Sequence, residues 1–93
     1  MRPKPNVFEA VRRRDRGLCF SCGKPGEEIH HIVSRSLFTK GDKSRDEERN
    51  LCLLCRKCHS ESHCLNARRK LIQAMEKRHG YAYEDGRFRQ YVS

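Results

Sequence analysis

Two histidines, His30 and His31, stand side by side in the run EIHHIVSRS, and His59 and His63 follow at i and i+4. A neutral imidazole can ligate a divalent metal or take a proton from water near neutral pH, because its ordinary pKa is about 6.5. Successive residues of a regular strand face opposite ways, so His30 and His31 cannot both reach one ion. At most one of the two can therefore ligate a given ion, and the residues alone leave open whether they bind, cut or pack. His59 and His63, if helical, project from one face and can share an ion. Four cysteines form a second constellation, Cys19-x-x-Cys22 and Cys55-x-x-Cys58. Tetrahedral zinc takes four thiolates at about 2.3 Å, and each tight turn can aim two of them at one point. Pairing within a C-x-x-C turn would give strained disulfides, so the paired knuckles favour zinc. Cys52 and Cys64 sit among apolar neighbours and read as small hydrophobes.

A chain of 93 residues with no tryptophan and 35% hydrophobic residues, six of them cysteines, can bury only a thin core. Domains of this size commonly need a staple. Met1 to Pro5 is basic and proline-rich, unlike a signal peptide, so a metal is expected in that role rather than disulfides, in a reducing, cytoplasmic compartment. No apolar run is long enough to span a bilayer. Lys and Arg number 21 against 12 Asp and Glu, a formal charge of +9. That balance suits a polyanion, and nucleic acid fits better than a lipid surface because no basic amphipathic helix carries bulky apolar anchors.

The elements that must position these groups can be placed in outline. Asn6 to Asp15 predicts a short capped helix ended by Gly17, with Arg12, Arg13 and Arg14 on its polar face. A turn at Lys24-Pro25-Gly26 leads into a strand from about Glu28 to Val33, and a long polar loop runs from Ser34 to Arg49. The apolar run NLCLL is a second strand, Asn50 to Leu54. Apolar residues recurring from about His59 to His79 predict a long helix capped by Gly80, with Arg68, Arg69 and Lys70 facing out and His79 as a cation at its C-terminal end. The segment YAYEDGRFRQYVS reads as a small hairpin or a mobile tail.

In order along the chain stand His-His, then Asn50, then Cys-x-x-Cys-His. Together with Cys19 and Cys22, the segments HHIVSRS, NLCLLC and CRKCH with His63 resemble the HNH endonucleases, the His-Me-finger or ββα-metal nucleases, in their small zinc-supported form. The resemblance covers about half the chain. It implies an α+β fold, a single domain over 1–93: a basic N-terminal helix within 1–18, a motif core at 19–63, and a longer C-terminal helix and tail at 64–93. By the family pattern His31 is the general base, Asn50 orients the loop and the catalytic histidine, and His30 and His59 ligate a catalytic divalent ion. Many members carry Asp at the position of His30, which leaves Mg, Mn, Ni or Zn open as the ion. His63 fits a third ligand by analogy with colicin-type members, and Cys19, Cys22, Cys55 and Cys58 would hold the structural zinc.

The resemblance further implies cleavage of DNA phosphodiester bonds, by nicking or double-strand cleavage, with Arg12, Arg13, Arg14, Arg35, Arg68, Arg69 and Lys70 as candidate phosphate contacts. Small members are often carried by phages beside DNA-packaging genes, so a terminase or another DNA-processing protein is an expected partner. The competing reading is a zinc-ribbon-like DNA-binding module, or an accessory protein active only when docked. A mere binder has no need of His31, Asn50 and His59 together.

Overall fold

The computed structural model describes residues 6–62, 65–84 and 88. Helix α1, Val7–Arg14, begins where the Asn6 side chain accepts the Phe8 N–H at 2.8 Å, and Arg12, Arg13 and Arg14 fill the last turn, where cations suit the helix dipole. It ends at Arg14, one residue before the expected Asp15. Arg16 itself takes the left-handed conformation (φ 57°), while Arg16 and Gly17 donate back to the carbonyls of Arg13 and Arg12. This is the Schellman pattern, with an arginine where glycine is usual.

Strands β1, Glu28–His31, and β2, Leu51–Leu54, form an antiparallel pair with His30 opposite Cys52 and His31 opposite Leu51. All four β2 residues are buried, which explains the unbroken apolar run. The outer edge of β2 is satisfied without a third strand. Asp15 accepts the Leu53 N–H at 2.9 Å, Phe20 donates to the Leu53 carbonyl at 2.7 Å, and Arg14 donates to the Leu51 carbonyl at 2.6 Å. Gly26 is needed at the turn into β1, since a Cβ there would lie 2.3 Å from Cγ of Leu53.

The polar stretch between the strands is organised by three short 3-10 turns, Arg35–Leu37, Lys43–Asp46 and Glu48–Asn50. The long helix expected from His59 is instead two helices, α2, Arg56–Glu61, and α3, Leu65–His79. Helix α2 starts inside the second knuckle, with Cys55 as its N-cap. Near its end, Ser60 and Ser62 donate to the Lys57 and Cys58 carbonyls, a competition with the helical ladder that accompanies termination. Helix α3 buries Leu71, Ile72 and Met75, and Gly80 (φ 70°) closes it as expected.

The C-terminal segment departs from the tail expected. Tyr83 and Phe88 are core residues, their rings 5.5 Å apart, and Phe88 meets Phe38 at 5.6 Å. The Tyr83 hydroxyl donates to the Arg49 carbonyl. Aromatic area from this segment thus thickens a core that looked thin. The Asp85-Gly86 turn lies outside the described residues.

Candidate metal and catalytic centre

The two knuckles converge. Sγ atoms of Cys19, Cys22, Cys55 and Cys58 all lie within 4.8 Å of one another, and Cys22 and Cys55 approach to 3.7 Å. Zn–S bonds of about 2.3 Å at the tetrahedral angle imply roughly 3.8 Å between sulfurs, so the cluster fits a zinc ion. Each knuckle repeats one local device: Cys22 N–H points at Cys19 Sγ, and Cys58 N–H at Cys55 Sγ, both at 3.4 Å. Gly23, at φ 80°, closes the first turn with its N–H on the Cys19 carbonyl. Burial alone would push the Cys19 thiol up, but the backbone N–H groups of Cys55, Cys22 and Ser21 outweigh it and bring Cys19 down to about 6. Burial and hydrogen bonds among the sulfurs raise Cys58 instead. A thiol lowered in this way more readily gives up its proton to a metal. Cys52 behaves as the small hydrophobe expected, fully buried with its thiol driven far up by desolvation. Cys64 lies outside the described residues.

A second site forms where the end of β1 meets α2. Ile29, His30, His31, Ser34, Arg35 and His59 line one cavity. The rings of His30 and His59 meet edge to face at 5.0 Å, while His31 bonds Oδ1 of Asp46 through Nε2 at 2.9 Å. The two adjacent histidines therefore serve different neighbours, as strand alternation requires.

A carboxylate fixes the proton on two of these rings. Glu28 Oε1 lies 2.9 Å from Nδ1 of His59, and an ionised carboxylate only accepts, so Nδ1 carries the hydrogen and Nε2 offers its lone pair. The same logic at His31 puts the hydrogen on Nε2 and the lone pair on Nδ1. The bond from His59 lowers the Glu28 pKa below its ordinary value. Carboxylate, histidine and metal in this order are the usual arrangement around a ligating imidazole, and neutral imidazoles suit Zn, Ni or Mn. His30 and His59 thus fit as a donor pair.

Asn50 is wholly buried and grips two stretches of backbone at once. Its Oδ1 accepts the Val33 N–H at 2.8 Å, and its Nδ2 donates to the carbonyls of Val33 (3.1 Å) and Arg45 (2.8 Å). The end of β1 is thereby tied to the Lys43–Asp46 turn. His59 lies within α2, which ends at Glu61, and His63, the proposed third ligand, lies outside the described residues.

Of the basic candidates, Arg12, Arg13, Arg35, Arg69 and Lys70 are exposed. Arg14 is not available to a phosphate: its guanidinium bonds Asp15 and the Glu48 and Leu51 carbonyls, with only 11% of the side chain exposed. Arg68 donates to the Ile32 carbonyl at 3.3 Å and is half-buried. His79 is less of a cation than its helix-end position suggests. Burial, then the charges of Arg14 and Arg78, lower its pKa against the opposing pull of Asp15.

Two residues were missed in the sequence, Glu28 and Asp46. Glu28 had a signal, since it precedes His30 by two and shares its strand face. Asp46 had none, being one acid of several in GDKSRDEER.

Comparison with known protein families finds a match over residues 19–64 to the family described as HNH endonuclease. No curated protein and no solved structure matches the chain.

Proposed function

Residues 19–64 of this chain form a domain of the HNH endonuclease family, typically phosphodiester hydrolases; from that premise we propose that the protein is a metal-dependent endonuclease hydrolysing DNA phosphodiester bonds. The observation that carries the reading is the single cavity in which histidines from β1 and α2 converge beside Arg35. In it His31 is the general base. With Nε2–H given to Asp46, Nδ1 is the atom that takes a proton from the attacking water. A bond forms from the water oxygen to phosphorus as the bond to the 3′ oxygen breaks, and the leaving oxygen gains its proton from solvent. His30 and His59 would hold a divalent cation, which when bound offsets negative charge on the phosphate and the leaving oxygen. Glu28 orients His59 for that task, Arg35 supplies positive charge at the rim, and Asn50 holds the two sides of the cleft in register. Cys19, Cys22, Cys55 and Cys58 would hold a structural zinc that fixes α2, and with it His59, against β1.

One such site cuts one strand, so nicking is the elementary act, and a double-strand break takes two events or two copies. Exposed Arg12, Arg13, Arg69 and Lys70 extend the contact to phosphates and position the duplex without reading its bases. The test is conversion of supercoiled plasmid by purified protein across Mg, Mn, Ni and Zn, with the His31→Ala protein in parallel. Cutting by the wild type alone supports the reading. Plasmid binding by both proteins with cleavage by neither would overturn it in favour of a zinc-ribbon-like binding module or a nuclease dependent on a docked DNA-packaging partner.

A further inference from the structure

The long polar segment between the strands ends in a device aimed at His31. Asp42 caps the Lys43–Asp46 turn, its Oδ1 accepting the Ser44 N–H at 2.9 Å. At the other end of the turn, Asn50 takes the Arg45 carbonyl at 2.8 Å. Fixed at both ends, the turn presents Asp46. Its Oδ1 meets Nε2 of His31 at 2.9 Å, and its Oδ2 lies 3.6 Å from Nε of Arg45. One carboxylate oxygen is thus hydrogen-bonded to His31, and the other lies near the Arg45 guanidinium.

We infer that Asp46 is a positioning residue for His31, carried into place by a turn that Asn50 tethers, and that it fixes the imidazole in the tautomer with its lone pair on Nδ1. The inference deepens the nuclease reading and rests on it for the meaning of that lone pair. A neutral imidazole without Asp46 would divide between two tautomers and rotate about its side-chain bonds. With a carboxylate on Nε2, the wrong tautomer would set two lone pairs against each other. The arrangement also explains why a buried asparagine whose side chain bonds the backbone of Val33 and Arg45 should matter to proton transfer. It acts through the Arg45 carbonyl, one residue before Asp46.

The position of Asp46 separates this role from two others. It is not a DNA contact, because a carboxylate repels phosphate, so its removal leaves or tightens DNA binding. Nor does it share an ion with the metal pair, since it meets His31, whereas His30 and His59 meet each other. At 42% side-chain exposure it tolerates replacement without loss of the fold.

The experiment uses the full-length, zinc-loaded protein and its Asp46→Ala and Asp46→Asn variants. Ring nitrogens of His31 are followed by two-bond proton–nitrogen correlation at about pH 8.5, and cleavage of supercoiled plasmid is followed with Mn2+. The wild type is expected to show the Nε2–H tautomer alone, and Asp46→Ala a mixture. In the assay Asp46→Ala should lower kcat about 10- to 100-fold at unchanged KM, and Asp46→Asn, whose amide oxygen can still accept, should recover part of that loss. An unchanged tautomer in Asp46→Ala overturns the inference, as does a kcat within twofold of wild type when His31→Ala is inactive. Recovery of Asp46→Ala by excess Mn2+ would make Asp46 a metal ligand and overturns it equally. If the wild type fails to cut under every metal tried, the nuclease reading fails, and the tautomer result still decides the role of Asp46 toward His31.

Discussion

Replacing Asn50 tests the tether most directly. In Asn50→Ala, the buried Val33 N–H loses the acceptor it has, and the Val33 and Arg45 carbonyls each lose a donor. An orphaned buried donor costs about 1–3 kcal/mol, and a carbonyl with a second lone pair costs less. The sum is about 3 kcal/mol, a large share of the roughly 5–15 kcal/mol typical of a domain. For a chain of this size that corresponds to a fall in Tm of roughly 12–24 °C. Asn50→Asp sharpens the test because it preserves shape. It keeps the acceptor for Val33 N–H but turns a carboxylate against two carbonyls, so at pH 7 it should lose more than alanine. Its folded pKa is raised, so the added loss is present at neutral pH and fades as acidification protonates the group. Urea unfolding of zinc-loaded proteins at pH 7 and pH 5 measures both, each variant read against Asn50→Ala at the same pH. A loss below about 1 kcal/mol for alanine, or an aspartate variant more stable than alanine at pH 7, would refute the tether.

Chelation of zinc should abolish the cooperative thermal transition seen by circular dichroism, and zinc should restore it, because binding and folding are one equilibrium. Cys22→Ser should lose the metal while Cys52→Ala retains one equivalent; equal zinc contents would contradict the assignment. Gly26→Ala drives a Cβ into Leu53 and should cost about 1–3 kcal/mol in urea unfolding, and that increment should shrink when it is measured in a Leu53→Ala background. Arg16→Gly relieves a left-handed arginine and should raise stability by about 0.5–1 kcal/mol. Because the folded pKa of His79 lies below its ordinary value, its neutral form stabilises the fold fully above about pH 6.5, and that contribution is lost as pH falls through the folded value. The Tm of the wild type should therefore fall more than that of His79→Gln between pH 7.5 and 5.5, and parallel curves would show that His79 does not couple to folding.

What was legible in the sequence follows from the range of each signal. The cysteine knuckles, the strand within NLCLL, the α1 cap at Asn6 and the closure at Gly80 rest on local spacing and side-chain type and stand in the fold, although Asn50 ends the turn before β2 rather than starting the strand. The His59–His79 helix misled because apolar recurrence continues across Ser62, where serine hydroxyls compete for carbonyls and α2 ends. Tyr83 and Phe88 looked like a tail because nothing nearby in sequence says that Phe38 and the Arg49 carbonyl wait for them. Charge was read by composition, which cannot separate Arg14, fastened to Asp15 and two carbonyls, from its exposed neighbours Arg12 and Arg13. Asp46 was hidden for the same reason. Its partner His31 is fifteen positions away, and only the folded turn brings them together.

The clasp on the segment before β2 bears on how far the motif can be moved. The Glu48 and Leu51 carbonyls are held by Arg14, the Arg49 carbonyl by Tyr83, and the Arg49 guanidinium reaches the Ala82 carbonyl and lies 4.3 Å from the Phe88 ring centre. Every one of these hands comes from outside residues 19–64. The matched stretch is therefore not a cassette that could be spliced into another scaffold with its reactive groups intact. A host would have to furnish substitutes for Arg14, Tyr83 and Phe88 to hold the backbone around Asn50 as it is held here, so the sequence on either flank is part of what shapes the histidine cavity.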